Sequence, residues 1–274
     1  AVPEPEPVVV EPAYYHPLTG VGMDEDLSRL RPVAVMINDL KAAQPQLGVS
    51  QADIIYEMTA EGGITRMVAL FQSLDGVGNL GSIRSTRAYY LELALGHDAL
   101  LVHAGGSPEA YKDIPAWGVD NMDGVNGGSD AKIFWRDAER RKTKGYEHSL
   151  LTSGEKIQEY LDQGHFRTEH KDGYAESLRF RDDGTPQGGT AAGKVSMRFS
   201  PYKTAVFDYD VASGKYLVSQ FGEAYIDGNT GEQVGVTNVL ALKTRIRLIS
   251  GDTAGRMTAD LTSGGEGMYF CGGQ

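Results

Sequence analysis

The chain has 274 residues, 41% of them apolar and 23% charged, an ordinary balance for a folded protein and far from a disordered one. Its net charge of -11 would repel nucleic acid and anionic lipid, which excludes a DNA- or RNA-binding role. No run of about 18 apolar residues reads as a bilayer-spanning helix, and Cys271, the only cysteine, can form no internal disulfide or cysteine-based metal cluster.

The length suits two domains of roughly 100–150 residues each. Residues 1–13 (AVPEPEPVVVEPA) are dominated by Pro and Glu and read as an extended spacer, either a tether or a plain tail. Pro32 to Ile37 (PVAVMI) reads as a buried strand, and Lys41 to Val49, with Pro45 and Gly48, as a loop. Asp53–Glu61 and Thr65–Phe71 flank Gly62-Gly63 and read as a hairpin. The pattern predicts a helix over Ser85–Leu95, capped by Ser82 or Ser85, and a buried strand over Asp98–His103. Ser107 before Pro108 is the N-cap of a second helix. Gly118–Asp130 reads as a surface loop, Arg140–Lys144 as a solvated basic loop, and Leu150–Asp162 as a helix.

From Ser177 onward short alternating segments broken by Gly and Asp predict antiparallel strands: Val195–Phe199, Thr204–Tyr209, Lys215–Gln220, Val234–Ala241 and Arg245–Ile249. Cys271 fits a small apolar residue of a terminal strand. The fold class is therefore mixed α/β followed by mainly antiparallel β. The divisions are a spacer over 1–13, an α/β domain over 14–163, a linker over 164–176 and a β-rich domain over 177–274.

Four constellations could carry chemistry. In GSIRSTRAYY, Arg84 and Arg87 are three apart at a predicted helix start and can share one face, which suits a carboxylate or phosphate. They could equally pair with Glu57, Glu61 or Asp98 of the chain itself. In YEMTAEGGITR, strand alternation puts Glu57, Thr59 and Glu61 on one face, with Arg66 near Glu61 across the turn. Four strand residues separate the two glutamates by roughly 13 Å, whereas glycosidase pairs sit roughly 5–9.5 Å apart. In VHAGGSPE, His103 ends a strand before a Gly-Gly-Ser turn into a helix, where ligands of open α/β sheets sit, so it could act as general base or ligand binder. Ser107 is better read as a cap than as a nucleophile. In GYEHSL, His148 could reach the same pocket. No HExxH, CxxC or Asp-rich calcium loop occurs, so neither a metal nor a cofactor is expected.

The strings RPVAVMIND, PQLGVSQADIIYEMTAEGGITRMVALFQS, GSIRSTRAYYLELALGHDALLVHAGGS and FWRDAERRKTKGYEHSL, in this order, resemble the YerB-like lipoproteins of Gram-positive bacteria, catalogued as domain of unknown function 3048 with N- and C-terminal domains. The likeness is strong over roughly residues 16–160 and weaker through Asp208-Tyr209-Asp210, Tyr216, Asp227 and Asn238-Val239. One departure is Ser149, where the family tends to place Asn after the histidine. Another is the ending GMYFCGGQ, short of the family's usual length, which implies an incomplete C-terminal domain.

The resemblance implies an exported protein on the outer face of the cytoplasmic membrane, held by a lipidated cysteine that this sequence does not contain. Three functions stay open. The first is binding of an anionic or cell-wall-derived ligand by Glu57, Glu61, Arg66, Arg84, Arg87, His103, Ser107 and His148. The second is a cell-wall hydrolase or transferase using Glu61 or His103 as acid/base. The third is a scaffold with no pocket. The expected partners are a cell-wall fragment or an anionic small molecule.

Overall fold

The computed structural model describes residues 11–175 and 177–274; the first ten residues of the expected spacer lie outside them. The ordered chain opens with a short antiparallel pair, β1 (Tyr14–Tyr15) and β2 (Gly22–Met23). The central sheet then takes β3 (Val33–Asn38), β4 (Ile54–Thr59) and β5 (Thr65–Phe71). After β6 (Asn79–Gly81) come α1 (Ala88–Gly96), β7 (Leu100–His103), α2 (Pro108–Trp117) and β8 (Asn121–Asp123). The sheet order is β4-β5-β3-β7-β8, antiparallel from β4 to β3 and parallel from β3 to β8.

β3 and β5 read as unbroken apolar runs because both of their faces are covered. Val33, Val35 and Ile37 pack into one apolar cluster with Met67, Ala69 and Phe71, while Ala34 and Met36 join Val68 and Leu70 in another. Tyr89, Tyr90, Leu91 and Ala94 of α1 cover the second face. The first face receives α4 (Gly154–Asp162), through Ile157, Tyr160 and Leu161. A small antiparallel sheet, β6-β10-β9, is completed by β9 (Trp135–Arg136) and β10 (Leu150–Ser153), with α3 (Ala138–Lys144) between them.

The C-terminal part is antiparallel, as its alternation predicts. β11 (Lys194–Arg198), β12 (Thr204–Asp210), β13 (Lys215–Gln220) and β14 (Glu223–Ala224) form a sheet in that order, and β15 (Gly235–Val236) also pairs with β13. β16 (Asn238–Lys243) pairs with β19 (Glu266–Cys271), and β17 (Arg245–Leu248) with β18 (Met257–Asp260). Ala205, Phe207, Tyr216, Val218 and Tyr225 enter the same cluster as Val35 and Phe71. On the opposite face Ala259 of β18 packs with the α1 side chains. The C-terminal part thus grips the central sheet from both sides. Residues 164–175 are fastened along the N-terminal part: Arg31 N–H donates to Thr168 O and His170 N–H to Arg29 O.

Four local expectations need correction. The first helix starts at Ala88, and neither Ser82 nor Ser85 caps it, because residues 82–86 run extended and spend their backbone groups on β3 and on Gly105. Arg84 and Arg87 therefore do not share a helical face. The supposed loop 118–130 contains β8, a three-residue strand whose polar flanks concealed it; Met122 is fully buried there. The basic run is no solvated loop but most of α3, capped by Asp137, with buried Arg140 donating to Ala43 O, Pro45 O and His148 O. The first four residues of the expected helix 150–162 form β10 instead, and Ser153 caps α4.

Ser107 caps α2, its Oγ accepting from Ala110 N at 3.1 Å. Ser107→Ala is expected to cost about 1 kcal/mol, the usual worth of such a cap, measured as a lower urea midpoint; an unchanged midpoint would remove the cap's contribution.

Candidate functional site

β3 and β7 pair only over Val33–Val35 and Leu100–Val102, and beyond this their carboxyl ends part. The strip Ser82–Arg87 fills the gap. Arg84 N–H donates to Met36 O, Ala104 N–H to Arg84 O, and Thr86 N–H to Gly105 O. Ligands of open α/β sheets sit at such a divergence of parallel strands. Here the outer surface of the strip and the Gly105-Gly106 turn bound a cleft of about 390 Å³. Arg84, Ser85, Tyr111, Asn126, Arg136, Tyr146 and Glu147 line it.

Asp123 organises the turn. Its carboxylate accepts from Gly105 N at 2.8 Å, Val125 N at 2.9 Å and Tyr111 Oη at 2.7 Å. Burial opposes its charge, but Tyr111 and the N–H donors outweigh it and hold the carboxyl below its ordinary value. Gly105 has a φ of +80°, where a side chain would be strained and would meet Ser85 Oγ.

His103 lies fully enclosed beneath the turn. Its Nδ1 is 2.9 Å from Gly105 O and its Nε2 is 3.0 Å from Asn121 Oδ1, so both ring nitrogens are engaged within the fold. Arg84 reaches Glu147 through Nη2, while its Nε has no hydrogen-bond partner. Arg136 donates to Tyr146 O at 2.6 Å and stacks 3.7 Å from the centre of the same ring, fixing that wall of the cleft.

On the other side of the strip Glu61 sits in the β4–β5 turn, where Gly62 and Gly63 both take positive φ. Its carboxylate accepts from Arg66 Nη2 and from Arg87, whose Nε is 3.2 Å from Oε2. Arg66 also donates to Ser85 O at 2.9 Å, which ties this cluster to the strip. Burial would raise the Glu61 carboxyl, but the two guanidiniums win and lower it. Burial, then the neighbouring Arg87 charge, brings the Arg66 guanidinium down to about 10.

Residues 18–167 match the family described as "Protein of unknown function (DUF3048) N-terminal domain", and residues 195–274 match its C-terminal domain. The chain belongs to the DUF3048 family. It is 33% identical over 256 residues to "Putative lipoprotein YerB" of Bacillus subtilis (strain 168), covering 93% of this chain and 74% of that one. The crystal structure of the B. subtilis YerB protein superposes with a TM-score of 0.80 at 29% identity, covering 95% of this chain and 84% of the other.

In this DUF3048 chain the expected site residues divide into separate groups. Arg84 borders the cleft; Glu61, Arg66 and Arg87 join one another across the strip. Ser107 is spent on its helix. His148 is buried, its Nδ1 accepting from Asn38 Nδ2 at 2.9 Å, and burial lowers its pKa. Glu57 is turned away from Glu61, because β4 ends at Thr59 and the alternation with it. It lies instead 3.1 Å from Lys203 of the C-terminal part. Sequence reasoning passed over Asp39, Asp123, Arg136, Glu147 and Lys203. Of these, Asp39 stood within the string RPVAVMIND, and Arg136 and Glu147 within FWRDAERRKTKGYEHSL. Among the described residues no group of three or more His, Cys, Asp or Glu side chains could hold a metal ion, and no helix is long and apolar enough to cross a membrane.

Proposed function

We propose that this DUF3048 chain is the exposed part of an envelope lipoprotein and binds a small anionic ligand, a carboxylate- or phosphate-bearing fragment of the cell wall, in the cleft beside Arg84. The observation that carries the reading is the partly exposed side chain of Arg84 on the cleft wall, with Arg136 lining the same cleft. Its partner Glu147 is 51% exposed at the side chain and can give way to a ligand. Two cations against one such carboxylate make the cleft a basic spot on a chain of net charge -11. The lipoprotein address rests on the name of the B. subtilis relative and on the Pro/Glu-rich segment at residues 1–13. The hydrolase reading has less support, since Glu61 is engaged by two arginines and His103 has both nitrogens occupied.

A charge-assisted hydrogen bond contributes about 1.5–3 kcal/mol, so Arg84→Ala is expected to weaken binding by roughly 10- to 100-fold. Calorimetric titration with purified muropeptides and with inorganic phosphate measures it, alongside Arg136→Ala. Affinity at the wild-type level in both variants would remove the cleft from consideration.

A further inference from the structure

Lys203 lies in the turn before β12, yet its side chain is 1% exposed because it reaches across to the N-terminal sheet. Its Nζ is 2.6 Å from Asp39 Oδ2 and 3.1 Å from Glu57 Oε1, and Asp39 is fully buried too. The Phe221 ring lies 4.6 Å from the same Nζ, and buried Tyr225 points its hydroxyl at Met67 Sδ. Thr65 Oγ1 donates to Asp39 Oδ2 at 2.6 Å.

Two acids and one ammonium in such a place are unbalanced, and a buried ion pair is already costly. Asp39 Oδ1 is buried without a hydrogen-bond partner, a situation that a proton shared between the acids would relieve. Burial, then the charge of Asp39, pushes the Glu57 carboxyl up, which favours a proton on this pair of acids.

We propose that the folded chain joins Lys203 to Asp39 by a side-chain amide, with Glu57 carrying the protons. A proton passes from the ammonium to the carboxylate pair, leaving an amine beside a protonated Asp39. Nζ attacks Cγ and the Nζ–Cγ bond forms. Glu57 then moves a proton from nitrogen to one oxygen, the Cγ–O bond breaks, and that oxygen departs as water. Two of the three ammonium hydrogens and one Asp39 oxygen make up the water, and no oxidant, reductant or outside reactant is required. Fixed contact supplies effective concentrations on the order of 10⁵–10⁸ M. A neutral amide replaces two buried charges, and the dry surroundings deny water for the reverse reaction. The bond would link residues 164 positions apart and lock the C-terminal sheet onto the N-terminal one.

The test is the intact mass of the full chain followed by peptide mapping. The wild-type protein is expected to weigh one water less than its sequence. Its trypsin digest should contain a branched peptide joining the segment of Asp39 to that of Lys203, uncut after Lys203. Lys203→Arg keeps the charge but should show the full mass, and Glu57→Gln should form the link slowly or not at all while keeping both partners. A folded wild-type chain that retains its full sequence mass after days of incubation and is cut after Lys203 overturns the proposal. So does a water loss that maps elsewhere or persists in Lys203→Arg.

Discussion

Replacing Glu61 with glutamine is expected to destabilise the fold by about 3–5 kcal/mol, the usual range for breaking a buried charge pair from one side. Its side chain is 22% exposed, but those of Arg66 and Arg87 are only 2% and 6% exposed. Without the carboxylate two guanidiniums face each other in a poorly hydrated place, and each repels the other. Removing one of them as well, in Glu61→Gln/Arg87→Gln, should recover part of the loss, because the repulsion goes with it. Urea unfolding of the single and double variants measures both effects. If the single variant unfolds at the wild-type midpoint, the three groups are not a stabilising unit.

Asp98→Asn should cost about 3 kcal/mol at neutral pH, the low end of the same range because Arg167 is 38% exposed. Asp98 sits between α1 and β7 with a φ of 48°, a conformation that asparagine also tolerates, so the substitution isolates the charge. Its carboxylate accepts from Arg167 Nη1 at 2.8 Å, from His170 Nδ1 at 3.1 Å and from Lys171 N at 3.2 Å, with buried Arg31 at 3.9 Å. Burial would raise its pKa, but the Arg167, His170 and Lys171 hydrogen bonds outweigh it and hold the carboxyl well below the ordinary range. The folded state therefore binds this proton more weakly than the unfolded chain does. The stabilisation is full above the unfolded value of 3.8 and is lost as pH falls through the depressed folded value. Wild type should lose stability more steeply than Asp98→Asn below about pH 4, followed by thermal melting from pH 7 to pH 2. Parallel acid limbs for the two proteins would contradict the assignment.

What the sequence disclosed follows from how far apart the interacting residues lie. The β4–β5 hairpin and the cap of α2 were legible because each is written within about a dozen residues, as was the approach of Arg66 to Glu61 across one turn. α1 was begun too early because the hydrogen bonds that keep residues 82–86 extended come from Met36, Ala104 and Gly105. The basic character of 140–144 concealed a helix for a similar reason: the carbonyls that receive Arg140 belong to Ala43, Pro45 and His148. At the cleft, Glu147 is 63 positions from Arg84, and Lys203 is 164 from Asp39. Nothing local in either segment signals such a meeting.

The gripping of one sheet on both faces by a single downstream segment has a mechanical consequence. Paired lobes that bury separate cores can swing like jaws and trap what they bind; here, among the described residues, the apolar cores run through the join, and shared packing opposes such a swing. A guest at the Arg84 wall would meet a mould already cast, and its selection would rest on fit and charge at first encounter rather than on closure around it.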